Sequence, residues 1–236
     1  MSIADNLARL RERITRAAAR SGRTPESITL MAVSKTVEAA RIRQAYEAGM
    51  RVFGENRVQE LSEKSPALAD LKDARWHLIG HLQSNKVKKA AEMFHAIDSL
   101  DSLRLAERLN HAAEHTNKIL PVLIEIKTSE EESKSGARTG SQELEELLQG
   151  LPKLAHLQVR GLMTVPPFTE DPEGARPYFR RLRELRDEIA ARNLPGLRME
   201  TLSMGMSHDF EVAVEEGSTC VRVGTALFGA RDYQKP

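Results

Sequence analysis

The sequence predicts an α/β fold, a barrel of eight parallel strands wrapped by helices, with one extra helix at the amino end. Three observations carry that expectation. Short apolar runs alternate with amphipathic stretches eight times, the alternation fills the 236 residues without a linker, and the polar, glycine-bearing motifs fall just after the apolar runs.

Ser2 to Arg20 reads as a helix, because Ile3, Leu7, Leu10, Ile14 and Ala17/Ala18 recur at helical spacing. Arginines fill its other face and Ser21-Gly22 ends it. Strands are then expected at 28–34, 51–54, 75–80, 94–98, 122–126, 157–164, 199–203 and 219–223. Pro121 suits the first position of its strand, where a missing N–H costs least. Helices are expected near 37–48, 56–64, 84–92, 102–116, 141–149, 174–192 and 207–216, with a short one at 225–228. Repeated strand–helix units demand parallel strands, because parallel neighbours need crossovers. Eight units in about 215 residues fit a (β/α)8 TIM barrel near its lower size limit of ~200. A doubly wound open sheet is the rival architecture. With no Gly/Ser/Pro-rich linker and no second composition zone, residues 1–236 read as a single domain.

Composition narrows the function classes. The chain is 40% hydrophobic with a formal net charge of +1, which gives no electrostatic reason to expect nucleic acid or an anionic membrane as partner. The single cysteine, Cys220, rules out an intramolecular disulfide framework and lies in an apolar run, as an inert buried thiol would. No run approaches the ~18 apolar residues of a membrane span. The amino end lacks a signal-peptide core, and Asp5 and Glu12 argue against a transit peptide, so a cytoplasmic protein is expected. The seven histidines show no HExxH or clustered spacing, so no metal ligand is assigned.

In such barrels the working face is the carboxyl end of the strands. Lys35 follows the apolar run Ile28–Ser34 there. Burial disfavours the charged amine, and a neutral amine is a nucleophile whose natural electrophile is an aldehyde. The alternative is a lysine that snorkels from the strand end to water. Strand 7 runs into Ser203-Met204-Gly205-Met206-Ser207 and strand 8 into Gly224-Thr225-Ala226-Leu227-Phe228-Gly229. Barrels often bind phosphate in those two loops, at the start of a short extra helix. Ordinary helix capping by Ser207 or Thr225 is the competing reading. Arg222 lies inside the last strand, where it needs a partner: Glu200 on the preceding strand, or a ligand atom at the barrel mouth. His81 is open between packing and function. The polar stretch Lys127–Gly140 reads as a solvated loop or as a lid over the mouth. A small phosphorylated aldehyde satisfies both the lysine and the phosphate cradle. Pyridoxal 5′-phosphate fits that description, as does the substrate of a phosphosugar aldolase.

The chain also resembles a known family. The stretches Ala32-Val33-Ser34-Lys35-Thr36, Phe53-Gly54-Glu55-Asn56 and Trp76-His77-Leu78-Ile79-Gly80-His81-Leu82-Gln83-Ser84-Asn85-Lys86 carry the likeness first. Ser133-Lys134-Ser135-Gly136, Gly161-Leu162-Met163-Thr164, Leu202–Ser207 and Val221–Arg231 continue it in order. These resemble the pyridoxal phosphate homeostasis proteins, the YggS/PROSC group, over nearly the whole chain. The resemblance implies the barrel of the alanine racemase N-terminal domain. It implies a covalent aldimine between Lys35 and pyridoxal 5′-phosphate, with Ser203, Gly224 and Thr225 on the phosphate and Met204 and Gly205 shaping the turn. Arg222 would face the pyridine nitrogen and Asn56 would lie near the ring. Arg57 and Lys127 depart from the family pattern, which puts the charge of the rim in question. The function implied is intracellular cofactor homeostasis: storage, buffering or delivery to pyridoxal phosphate-dependent apo-enzymes through transient contact, without catalytic residues. A racemase-like enzyme is the alternative. It needs a second proton-transfer group, and Tyr46, Tyr178 and Tyr233 all fall away from predicted strand ends. The chain stops soon after strand 8, without the β-domain that alanine racemases use to dimerise, so a monomer is expected.

Overall fold

The structure, a computed structural model, describes residues 2–129, 131 and 135–229. Its first helix, α1 (Ile3–Arg20), begins with a capping box in which the Asp5 N–H donates to Ser2 Oγ and the Ser2 N–H donates to Asp5 Oδ2. The strands are β1 (Thr29–Val33), β2 (Val52–Glu55), β3 (Arg75–Leu78), β4 (Ala96–Leu100) and β5 (Leu120–Lys127). They continue with β6 (Ala137–Arg138), β7 (Leu157–Met163), β8 (Leu197–Met206) and β9 (Cys220–Val223). The sheet runs β4-β3-β2-β1-β9-β8-β7-β5, and the β4–β5 pairing closes it into a ring of eight parallel strands. That closure decides for the barrel against the open sheet. Between the strands lie α2 (Ala39–Glu47), α3 (Val58–Lys64), α4 (Val87–Met93) and α5 (Leu103–His115). Then come α6 (Gln142–Gly150), α7 (Arg176–Ala191), α8 (Phe210–Glu215) and α9 (Thr225–Phe228).

Strands buried on both faces explain the alternation of residue types. In β9, Val221 and Val223 join the core under the helices, while Cys220 and Arg222 are buried on the barrel side. In β5, Val122, Ile124 and Ile126 face the helices, leaving Leu123, Glu125 and Lys127 for the interior.

Helix α1 packs on α8 and α9 through Leu7, Leu10, Ile14, Ala17 and Ala18. Each large side chain so buried contributes roughly 1.5–3 kcal/mol. The flanking pairs Arg13–Glu211 (2.8 Å) and Arg20–Glu215 (2.6 Å) are partly solvated, and such pairs contribute about 1 kcal/mol or less. Packing therefore holds α1 in place. One hydrogen bond, from Asn6 Nδ2 to the Leu227 carbonyl (2.9 Å), ties it to α9 beside the site described below.

Two of the shifted element boundaries change the setting of site residues. β8 extends to Met206, so Met204 and Gly205 belong to a strand. β5 extends through Lys127, and the start of the predicted loop pairs in parallel with β6. The loop's residues 130 and 132–134 lie outside the described residues, as do Tyr233 and Ala230-Arg231.

Glycine is required where β7 meets β8. Gly161 has φ +150°, and a Cβ there would overlap the Thr201 carbonyl oxygen. Gly140 also has positive φ (+73°) but open space around it. Gly161→Ala is therefore expected to lower stability by about 3 kcal/mol, through overpacking plus backbone strain. Gly140→Ala should cost about 1 kcal/mol. Urea midpoints of the two variants check the order.

Candidate functional site

Lys35 lies two residues beyond the end of β1, half-buried, at the carboxyl rim of the barrel. The backbone turns sharply after it: Thr36 has φ +61°, a left-handed conformation that a β-branched residue rarely adopts. Such strain costs of order 1–3 kcal/mol and persists only where the surroundings hold it. Here a partly buried polar network does so. Thr36 donates its N–H to Glu60 Oε1 and its hydroxyl to the Lys35 carbonyl (2.6 Å). Lys64 Nζ reaches Glu60 Oε1 (2.6 Å), Glu55 Oε1 (2.9 Å) and the Ser34 carbonyl (2.8 Å). Ser34 Oγ donates to the same Glu55 oxygen (2.8 Å). Burial pushes the Glu55 carboxyl above its ordinary range, against the opposing pull of Lys64 and Ser34. Glu55 Oε2 is buried with no partner among the described residues.

Arg222 crosses the barrel interior, 3% exposed. Its Nη1 donates to Ser203 Oγ (2.7 Å) and its Nη2 to the Thr164 carbonyl (2.7 Å). Burial works against the guanidinium charge, and Asp98, Glu125 and Asp209 support it. Glu125 is the unexpected member. Desolvation first, and the Asp101 charge second, push its carboxyl from 4.5 up to about 7, with Arg222 opposing. Its Oε2 is likewise buried and without a hydrogen-bond partner.

The third part is a gathering of N–H donors. Ser207 Oγ accepts from the Gly224 N–H (3.1 Å) and the Ala226 N–H (3.2 Å). Two backbone donors thus converge on one oxygen at the start of α9, with exposed Thr225 between them. Gly205 shapes the approach: it has φ +93°, and a Cβ would stand 2.5 Å from that of Ala213. Asn56 follows β2, half-buried, and Gly80 presses against it so closely that a Cβ would come 2.5 Å from its carbonyl oxygen. Strand register brings these parts together. β1 pairs β9 with Met31 beside Arg222 and Ala32 beside Val223, so Lys35 and Gly224 leave neighbouring strands on one rim.

Several sequence expectations need correction. Glu200 is not the partner of Arg222; it is exposed and pairs with Arg160 (2.7 Å) on the neighbouring strand. Met204 is fully buried in the helix-facing core, because alternation along β8 turns Ser203 inward and Met204 outward. Lys127 is buried within β5 instead of lining the rim, whereas Arg57 is exposed ahead of α3. His81 stands exposed, 3.5 Å from Asp101. Helix α5 brings His111, Glu114 and His115 together, a cluster the sequence reading set aside. Cys220 behaves as expected, since burial raises its thiol to about 12. Glu125 and Lys64 were missed. The signal for Glu125 was the alternation of Glu125 and Lys127 with Ile124 and Ile126 at the end of an otherwise apolar strand.

A cavity of about 540 Å³ opens at the opposite, amino-terminal end of the barrel, lined by His77, Asp98, Arg75 and Cys220 among others. His77 Nδ1 lies 3.1 Å from Asp98 Oδ1. Burial disfavours the imidazolium, but the Asp98 carboxylate outweighs it and raises the His77 pKa.

Residues 6–232 match the family model described as alanine racemase, N-terminal domain. A pyridoxal phosphate homeostasis protein of Aquifex aeolicus is 47% identical, covering 99% of this chain and 100% of its own length. The Escherichia coli protein of the same description is 46% identical, over 99% of this chain and 98% of its own. PipY of Synechococcus elongatus, solved with pyridoxal phosphate bound, superimposes with a TM-score of 0.85 at 42% identity, over 97% of this chain and 100% of its own.

Two stability tests follow from the network. Lys64→Met leaves the Glu55 charge buried and unpaired, at a cost of roughly 3 kcal/mol in urea unfolding at pH 8. The loss should shrink at pH 5, where Glu55 can take up a proton. For Glu125 the folded pKa of about 7 lies above its ordinary 4.5, so its contribution is present below about pH 4.5 and lost as pH rises through 7. Wild type should therefore lose roughly 2–3 kcal/mol between pH 5 and pH 8 that Glu125→Gln does not lose.

Proposed function

The chain belongs to the pyridoxal phosphate homeostasis family, built on the alanine racemase N-terminal fold, and we propose that it binds pyridoxal 5′-phosphate as a Schiff base on Lys35. In this reading residues 1–236 act as one cofactor-binding domain that stores, buffers and delivers the cofactor. The observation that carries it is the convergence of the Gly224 and Ala226 N–H groups on a single oxygen, one rim position away from Lys35. Two aligned backbone donors at a helix start are what a phosphate oxygen requires.

The donor set fits the cofactor part by part. Lys35, half-buried at the rim, supplies the amine. Gly224, Thr225 and Ser203 are the phosphate side, with Gly205 keeping the approach open. Met204 acts from behind, by filling the core under that turn. Arg222 is the donor available to the pyridine nitrogen, and Asn56 stands near the ring. Pyridoxal phosphate brings a reactive aldehyde and a ring able to accept electrons. Arg222 restrains the second property, because an arginine does not give up its proton at neutral pH and so leaves the ring nitrogen unprotonated.

That restraint supports a carrier over a catalyst. Of the two described tyrosines, Tyr46 donates to Asp73 and Tyr178 lies on α7, so neither stands at a strand's carboxyl end. A reversible link at a solvent-facing rim lets incoming amines displace Lys35, which suits transient hand-over to apo-enzymes. Names carried by the relatives agree with this reading, as does the bound cofactor in PipY.

The test is the visible absorption of the purified protein with added pyridoxal phosphate. A yellow band is expected that borohydride bleaches and that Lys35→Ala lacks. The loaded protein should then restore activity to a pyridoxal phosphate-dependent apo-enzyme. A wild type that remains colourless would sink the proposal.

A further inference from the structure

We propose that the last turn of α5 is a binding site for a divalent late first-row metal ion, with zinc the best fit, held by His111, Glu114 and His115. The three side chains sit at i, i+3 and i+4 on one helix face and are all exposed. One ligand atom from each lies within 4.8 Å of the others. Two atoms bound to a common tetrahedral zinc stand about 3.3–3.5 Å apart, given bond lengths near 2.0–2.2 Å. Free rotation of exposed side chains supplies the remaining closure.

Three features of this helix point to a metal and not merely to a polar surface. His115 Nδ1 lies 2.8 Å from the His111 carbonyl, its backbone acceptor four residues back. That bond places the ring proton on Nδ1 and leaves the Nε2 lone pair for a ligand role. Metal-binding histidines are oriented in this way by an acceptor bonded to the ring nitrogen that does not hold the metal. The two imidazoles already approach each other, with ring centroids 4.2 Å apart and planes 70° apart, and Glu114 Oε2 stands 3.8 Å from His111 Nδ1. Finally, the cluster lies at the carboxyl end of α5, where the helix dipole favours a cation.

The ligand set selects the metal class. Two imidazoles and one carboxylate suit zinc, with copper(II) and nickel(II) as competitors of higher or comparable affinity, and exclude the all-oxygen preference of calcium and magnesium. Three protein ligands leave a coordination position open. The two histidines line a cleft of about 640 Å³ between α4 and α5, together with Lys88, Glu92 and Arg108. Because α5 runs back from the carboxyl rim of β4, the cluster lies toward the end of the barrel opposite Lys35. Metal binding is therefore independent of the cofactor reading.

Calorimetric titration of tag-free, full-length protein with zinc chloride tests the site. Wild type is expected to bind one zinc per chain. Either His111→Ala or His115→Ala should weaken binding about tenfold or more, and Glu114→Gln by a smaller factor. All three residues are exposed, so circular dichroism should show the helix intact in each variant. Copper(II) electron paramagnetic resonance gives a second readout: superhyperfine coupling to two imidazole nitrogens in wild type, reduced to one in either histidine variant. Zinc binding of equal strength in the His111→Ala/His115→Ala double variant would overturn the assignment. So would a wild type with no saturable binding below about 1 mM.

Discussion

A guanidinium inside a barrel is the constraint on which the interior of this molecule is built. Arg222 cannot shed its proton, and the effective penalty for burying such an ion is several kcal/mol. Two of its nitrogens are satisfied directly, by Ser203 Oγ and the Thr164 carbonyl. The charge is balanced by Asp98, Glu125 and Asp209, all buried. Each carboxyl brings its own requirement: Asp98 is met by His77, Asp209 accepts from the Met206 N–H (2.6 Å), and Glu125 is left with an unpartnered oxygen. The layers of branched apolar side chains that usually fill such barrels are thereby displaced toward the helix-facing side of the sheet. Stability comes from that outer shell. The interior is left free to be polar.

Fold and site were legible to different degrees, for a physical reason. Apolar periodicity reports the face of each strand that packs on helices, and that face is largely apolar here. The eight-strand order could therefore be read directly from runs such as Val221/Val223 and Val122/Ile124/Ile126. Residues on the inner face alternate with that signal and are hidden by it. Arg222 stood out because a charge in a short strand is conspicuous. Glu125 did not, although it occupies an equivalent inward position two residues before Lys127. Pairings were the least legible. Whether Arg222 meets Glu200 depends on which face each strand turns inward, and Glu200 turns outward to Arg160. Lys64 and Glu55 meet only because the helix after β2 folds back across the rim, a tertiary fact with no local signature. Met204 misled for a related reason: Ser-Met-Gly-Met-Ser resembles a turn, but β8 continues through it with Gly205 absorbing the positive φ.

The strained turn after Lys35 shows how the outer shell and the rim are coupled. Thr36 would relax from φ +61° if nothing opposed it. Glu60 holds its N–H, Lys64 holds Glu60, and Lys64 in turn is anchored to Glu55 and to the Ser34 carbonyl. The half-buried lysine is thus presented by a chain of charge-assisted bonds that lies behind it, on the side of α3.

Strand order completes the arrangement. Lys35 leaves β1 and Gly224 leaves β9, neighbours locked by four register pairs from Thr29–Cys220 to Ala32–Val223. The distance between the amine's backbone and the N–H donors is therefore set by a ladder, the stiffest element available, and not by loop conformation. What remains adjustable is α9, a single turn whose position depends on α1: Leu7 and Leu10 are buried against this region and Asn6 holds the Leu227 carbonyl. The extra amino-terminal helix, which an eight-strand barrel does not need for closure, has its use here. It braces a part of the rim that the ladder does not fix, and so sets how firmly the Gly224 and Ala226 N–H groups are held against Ser207 Oγ.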